Sequence, residues 1–120
     1  MTSAQYDFCL GQGTDLTLPF LLKDSARTPL DLTGFQARMQ LRQTYYDAEA
    51  IDTLTTDNGR IVIEAEEGRV SCSFPNSVTE RYPAQKLLYD LELVEPSGTV
   101  RRIVHGTVSV TPEVTKVGSE

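Results

Sequence analysis

Few residues in this 120-residue chain could do covalent or metal chemistry. Cysteine occurs at positions 9 and 72 alone, and His105 is the one histidine. A nucleophilic pair would need Cys9 or Cys72 beside His105, with a carboxylate to orient the imidazole. No local motif marks either thiol as activated. One histidine also rules out a multi-histidine zinc site. Both cysteines fall on alternating apolar stretches and read as small buried hydrophobes. A disulfide between them is the lesser alternative in a chain whose first twenty residues lack the basic start of a secretory signal. His105, between Val104 and Gly106 in another alternating stretch, reads as a structural side chain.

The remaining motifs are weaker still. Gly11-Gln12-Gly13 begins like a dinucleotide-binding glycine loop but lacks the third glycine and the following helix, so a turn is expected. Glu64, Glu66 and Glu67 cluster beside Gly68. Metal binding or glycoside hydrolysis would need further carboxylates converging on them, whereas a solvated hairpin tip explains them directly. Asp52, Asp57 and Asn58 are not at calcium-loop spacing. No catalytic residue, cofactor or metal is therefore expected. Tyr45, Tyr46 and Tyr82 lie in expected loops, where tyrosines either form interfaces or fold back over a core edge. With Val114 and Thr115 near the C-terminus, they are the candidate protein-interface residues.

Charge excludes some partners. Eleven Lys and Arg against seventeen Asp and Glu leave a net charge of −6, which argues against nucleic acid or an anionic membrane as the main partner. No segment reaches the roughly 18 apolar residues of a membrane helix.

The elements that would position these residues are short strands. Leu16, Leu18, Phe20 and Leu22 alternate with more polar positions, and Pro19 places that strand at an edge or bulge. Asp24 to Pro29 is a polar turn, and Asp31-Leu32-Thr33-Gly34 is a tight one. Phe35, Ala37, Met39 and Leu41 point one way while Gln36, Arg38, Gln40 and Arg42 point the other, the clearest strand in the chain. Thr44 to Ala50 reads as an extended crossing loop, with a capped helical turn as the alternative. Ile51 to Leu54 is a short strand, and Asp57-Asn58-Gly59 signals a hairpin after it. Arg60–Ala65 and Arg69–Phe74 flank the turn Glu66-Glu67-Gly68. Ser77-Val78-Thr79-Glu80 has capping-box spacing, but Pro83 limits it to one helical turn. Leu87–Leu93 and Val100–Val110 form a long hairpin about Pro96-Ser97-Gly98, with Tyr89, Leu91 and Leu93 inward.

Seven or eight short strands with turn signals every 8–12 residues define an all-β domain over residues 1–112, followed by an arm or tail over 113–120. An Ig-like antiparallel β-sandwich is the expected architecture, and a small closed β-barrel is the alternative.

The ordered segments Gly13-Thr14-Asp15-Leu16-Thr17-Leu18-Pro19-Phe20, Pro29-Leu30-Asp31-Leu32-Thr33-Gly34, Ala37-Arg38-Met39-Gln40-Leu41-Arg42, Asn58-Gly59-Arg60-Ile61, Tyr89-Asp90-Leu91-Glu92-Leu93 and Gly106–Thr115 span nearly the whole chain. In that order the chain resembles small tail-tip or baseplate proteins of tailed bacteriophages, similar to the N-terminal domain of baseplate upper proteins and to siphophage collar proteins. The resemblance implies an Ig-like sandwich without catalytic residues. It implies a homo-oligomeric ring or collar on the distal tail of the virion, made in the host cytoplasm. Such a ring anchors fibres or receptor-binding proteins, and the Pro112–Glu120 arm could reach a neighbouring subunit. A monomeric carbohydrate- or peptide-binding sandwich, stacking ligand on the loop tyrosines, is the alternative function.

Overall fold

In a computed structural model describing residues 3–115, the strongest alternation in the sequence becomes an interior strand of a six-stranded sheet. The strands are β1 (Ala4–Gln5), β2 (Phe8–Gly11), β3 (Leu16–Leu21), β4 (Gln36–Arg42), β5 (Asp52–Thr55), β6 (Ile61–Glu64), β7 (Arg69–Phe74), β8 (Lys86–Val94) and β9 (Val100–Thr111). One helical turn, α1 (Asn76–Thr79), separates β7 from β8. The larger sheet runs β1-β9-β8-β4-β5, with β2 also paired to β9, and the smaller runs β3-β7-β6. The two sheets pack face to face through one core, an all-β sandwich. The two sheets remain separate, so the closed-barrel alternative is not the one taken.

Period-two patterning explains the core. Along β4, Ala37, Met39 and Leu41 are buried between exposed Gln36, Arg38 and Gln40. Met39 pairs with Leu54 of β5 and Leu91 of β8, so three apolar side chains stand in one row on the inner face. Val70, Cys72 and Phe74 of β7 and Ile61 of β6 close over them from the smaller sheet. Each fully buried side chain of this size contributes about 1.5–3 kcal/mol.

Several turns form as their residue types require. Asp31 Oδ1 accepts from the Thr33 N–H at 3.0 Å and the Thr33 hydroxyl at 2.6 Å, while Gly34 takes φ +81°. These two hydrogen bonds hold the exposed Asp31 carboxyl below the usual carboxylate range. β3 is an edge strand, as Pro19 requires. Ser73 donates to the Arg60 carbonyl on the β6 side, so alternation makes Thr17, Pro19 and Leu21 turn their backbone groups away from β7. The missing proline N–H thus faces the open edge and costs no ladder bond. The segment from Thr44 to Ala50 is irregular with a turn at Tyr45-Tyr46, not a helix.

Four expectations are corrected. The sheet is not wholly antiparallel: β1 and β2 run parallel to β9. Alternation carries no direction, so the sequence pattern could not reveal this. Asp57-Asn58-Gly59 does not close a hairpin, because β5 and β6 lie in different sheets. Asn58 takes the bonds a partner strand would supply: its Oδ1 accepts from the Thr55 and Arg60 N–H groups, and its Nδ2 donates to the Thr53 carbonyl. The Ser77–Glu80 capping box does not form. Instead Asp15, the residue before β3, accepts from the Asn76 N–H at 2.6 Å. Cys9 is exposed on the outer face of β2, between buried Phe8 and Leu10, whereas Cys72 is buried. Both thiols are free.

The β8–β9 hairpin carries a bulge. Leu91 pairs with Val104 but Glu92 pairs with Arg102, which leaves Ile103 unmatched. Ile103 and Val104 are consequently both buried, and Arg102 returns to the outer face opposite Glu92. Gly106 is demanded by close approach: a Cβ there would stand 2.2 Å from the Tyr6 carbonyl oxygen, where the chain kinks between β1 and β2. At that kink Asp7 Oδ1 accepts from the Thr107 N–H at 2.9 Å, and the Tyr89 hydroxyl donates to the Tyr6 carbonyl.

Candidate functional site

The candidate interface residues do not converge on one place. Tyr82 is 3% exposed and its hydroxyl donates to Asp52 Oδ2, so it folds back over the core edge and presents no ring face to a partner. Arg60 completes this cluster, with Nη2 donating to Asp52 Oδ2 at 2.8 Å and Nε to the Ser73 carbonyl at 2.9 Å. Burial works against the Arg60 charge, and the hydrogen bond and charge of Asp52 more than offset it, raising the Arg60 pKa. Burial first, then the bond to Asp52, pushes the Tyr82 phenol well above its ordinary range. The cluster ties the β5–β6 corner to β7 and to the segment after α1. In the sequence Asp52 stands out only as a calcium-ligand candidate; its partners Arg60 and Tyr82 lie 8 and 30 residues away.

Tyr45 and Tyr46 occupy a different place. They are 79% and 95% exposed at the tip of the loop after β4. That loop is fastened from below: Arg42 Nη1 donates to the Asp47 carbonyl at 2.7 Å, and Asp47 Oδ2 accepts from the Thr44 N–H at 3.0 Å. Two aromatic rings are thus held out from a braced turn. Val114 is 95% exposed, and Thr115 is exposed as well; neither is brought near the tyrosines by any hydrogen bond. Of the expected arm, residues 116–120 lie outside the described residues. Glu113 is anchored, its N–H donating to Gln12 Oε1 at 3.1 Å.

A further place carries no sequence motif. The outer face of the larger sheet forms an open groove of about 930 Å³. Cross-strand register builds it in rows. Thr53, Gln40, Asp90, His105 and Gln5 stand side by side on β5, β4, β8, β9 and β1. A second row holds Thr55, Arg38, Glu92 and Arg102. Arg38 Nε pairs with Glu92 Oε1 at 2.7 Å, and Arg42 Nη2 donates to Gln40 Oε1 at 2.6 Å. His105 is tied through Nδ1 to the Ser3 hydroxyl at 2.6 Å. Partial burial, then Glu92 nearby, raises the Asp90 pKa above the ordinary carboxylate value. Tyr45 stands at the rim. Alternation in β4 and β8 marks these side chains as outward; the pairing that assembles them requires the sheet order.

The hairpin tip behaves as a solvated turn. Arg69 Nη1 lies 2.9 Å from Glu64 and 2.8 Å from Glu67, which lowers the Glu64 pKa. Among the described residues no group of three or more His, Cys, Asp or Glu side chains is placed to hold a metal ion. Burial pushes the Cys72 thiol up to about 12, so it stays protonated at neutral pH.

Compared with known proteins, the chain matches no protein-family model, and no curated protein sequence matches it.

Proposed function

We propose that this chain is a non-enzymatic structural component of a bacteriophage tail tip or baseplate, assembled as a ring or collar of copies around the distal tail. It resides in the virion after synthesis in the host cytoplasm and anchors fibres or receptor-binding proteins. The identity of the assembly follows from the resemblance of the ordered sequence segments. The observation that carries a docking role is the braced Tyr45-Tyr46 turn, which holds two aromatic rings in solvent on a rigid sandwich. Exposed aromatic residues with few rotatable bonds supply contact area at small entropic cost. A ring multiplies weak contacts of this kind through effective concentration. The acidic net charge suits protein partners better than nucleic acid or anionic membrane.

The test is complementation of a tailed phage lacking this gene. Changing Tyr45 and Tyr46 together to Ser should leave the melting temperature unchanged and reduce both tail-bound protein and infectious particles by at least tenfold. Wild-type levels of tail-bound protein with the double variant would overturn the docking role, and absence of the wild-type protein from purified tails would overturn the assembly.

A further inference from the structure

We propose that the open edge of β6 pairs with β6 of a second copy of this chain, in an antiparallel two-fold contact centred on Val62. The contact is separate from the tyrosine pair at 45 and 46, and it does not depend on the tail-tip reading.

Ladder geometry decides which backbone groups face that edge. The Ser73 N–H donates to the Arg60 carbonyl at 2.9 Å, so positions 60, 62 and 64 bond toward β7 and positions 61 and 63 turn their groups the other way. β6 is the last strand of its sheet. Among the described residues the N–H and C=O groups of Ile61 and Ile63 therefore have no hydrogen-bond partner. The other edges are blocked. On β5 the outward N–H groups of Thr53 and Thr55 donate to Asp52 Oδ1 and Asn58 Oδ1, and the Thr53 carbonyl accepts from Asn58 Nδ2. β3 carries Pro19 at an outward position. The chain kinks between β1 and β2, and β2 ends at Gly11, whose carbonyl accepts from the Thr14 N–H at 3.2 Å. β6 has no such device. Between Arg60 and Glu64 it holds only Ile61, Val62 and Ile63, three β-branched residues.

The order of these residues selects the occupant. Arg60-Ile61-Val62-Ile63-Glu64 is complementary to itself when one copy is reversed. With the axis at Val62, Ile61 stands opposite Ile63 of the second copy and Arg60 opposite Glu64, so like charges meet nowhere along the seam. Every free N–H and C=O of Ile61 and Ile63 then finds a partner. The neighbouring registers fail. An axis at Ile61 sets Ile63 against Gly59, which lies outside the strand at φ +79°. An axis at Ile63 sets Ile61 against Ala65, whose carbonyl already accepts from the Leu32 N–H at 3.0 Å, and Val62 against Glu64. Val62 itself is 53% exposed on the outer face beside Ser71. At the axis the two Val62 residues form a non-hydrogen-bonded pair, where facing side chains come closest, and each covers the other. On the inner face, half-buried Ile63 meets Ile61 of the second copy. Strands of four residues make a small contact, so the dimer is weak. It closes at two copies, unlike the heterologous contact that a ring requires.

Sedimentation velocity of the full chain from about 1 μM to about 1 mM should show monomer passing to dimer. Amide hydrogen exchange at Ile61 and Ile63 should slow as the dimer fills, while Val62, bonded to β7 throughout, should stay unchanged. Val62→Lys and Val62→Glu should each weaken dimerisation at least tenfold, with the melting temperature of the dilute monomer unchanged, because like charges then face each other at the axis. An equimolar mixture of the two variants should restore the dimer, which requires residue 62 to face itself. Changing Tyr45 and Tyr46 together to Ser should leave dimerisation at wild-type level, so loss of tail docking and loss of this contact are read apart. A chain that stays monomeric throughout would overturn the second copy as occupant and leave the edge to a strand of another protein. A dimer untouched by both charged variants, or not restored by mixing them, would overturn the two-fold contact at β6.

Discussion

At Asp52, the Arg60 guanidinium and the Tyr82 hydroxyl meet on one carboxylate, and their order of importance can be argued. Arg60 and Asp52 have side chains only 18% and 13% exposed, so their pairing is far less screened than a surface ion pair. Removing one partner leaves a charge in a partly desolvated site, a cost of about 3 kcal/mol. Removing the Tyr82 hydroxyl loses one hydrogen bond but leaves Asp52 paired, a cost of about 1–2 kcal/mol. Urea unfolding should therefore rank Asp52→Ala as clearly more destabilising than Tyr82→Phe. The reverse order would show that the tyrosine, not the ion pair, holds the corner. None of this is legible in the sequence. There Tyr82 is a loop aromatic with two alternative fates, and only the fold brings residues 52, 60 and 82 together. Asp31, by contrast, is legible, because its partner Thr33 is two residues away and Gly34 follows at once.

Strand parity is the most readable element, and it makes a sharp comparison. Met39 is fully buried between Leu54 and Leu91. Met39→Asp inserts an unpaired carboxylate into that row and should unfold the domain or cost at least about 4 kcal/mol. Its neighbour Gln40 faces outward, but Asp90 stands directly opposite on β8. An acidic substitution at 40 would place two carboxylates side by side, and a basic one would remove the acceptor that Arg42 uses. Gln36→Lys, exposed on the same face of β4, is therefore the fair control, expected within about 0.5 kcal/mol of wild type. Thermal unfolding of the two variants checks the register, and equal melting temperatures would refute it. Alternation identifies β4, β7, β8 and β9 because burial on one face writes a period of two into the residues. What it cannot convey is pairing direction, which sheet a strand joins, or the bulge that buries Ile103. Asn-Gly illustrates the limit: the same dipeptide that closes hairpins here turns a corner between sheets, since Asn58 bonds the loop instead of a second strand.

For the molecule as a whole, the two thiols report whether the sandwich opens as one unit. Cys9 lies exposed on the outer side of β2, the strand that closes one edge of the larger sheet. Cys72 lies at the centre of β7, fully buried, paired with Leu18 on one side and Ile61 on the other. Its thiol, pushed up to about 12 by burial, has almost no thiolate at neutral pH in the folded state. Reagent can reach it only when the smaller sheet separates from the larger, and that separation exposes Met39, Leu41, Leu91 and Phe74 together. Such an opening loses most of the core, so it should coincide with global unfolding. A maleimide reagent should accordingly label one thiol within seconds in the native protein. The second should react with an opening free energy equal to that from urea unfolding. Substituting Cys9→Ser should abolish the fast phase and leave the slow one unchanged. A second thiol reacting at a free energy several kcal/mol below the global value would show that the three-stranded sheet detaches alone, and that the two layers are not one cooperative domain.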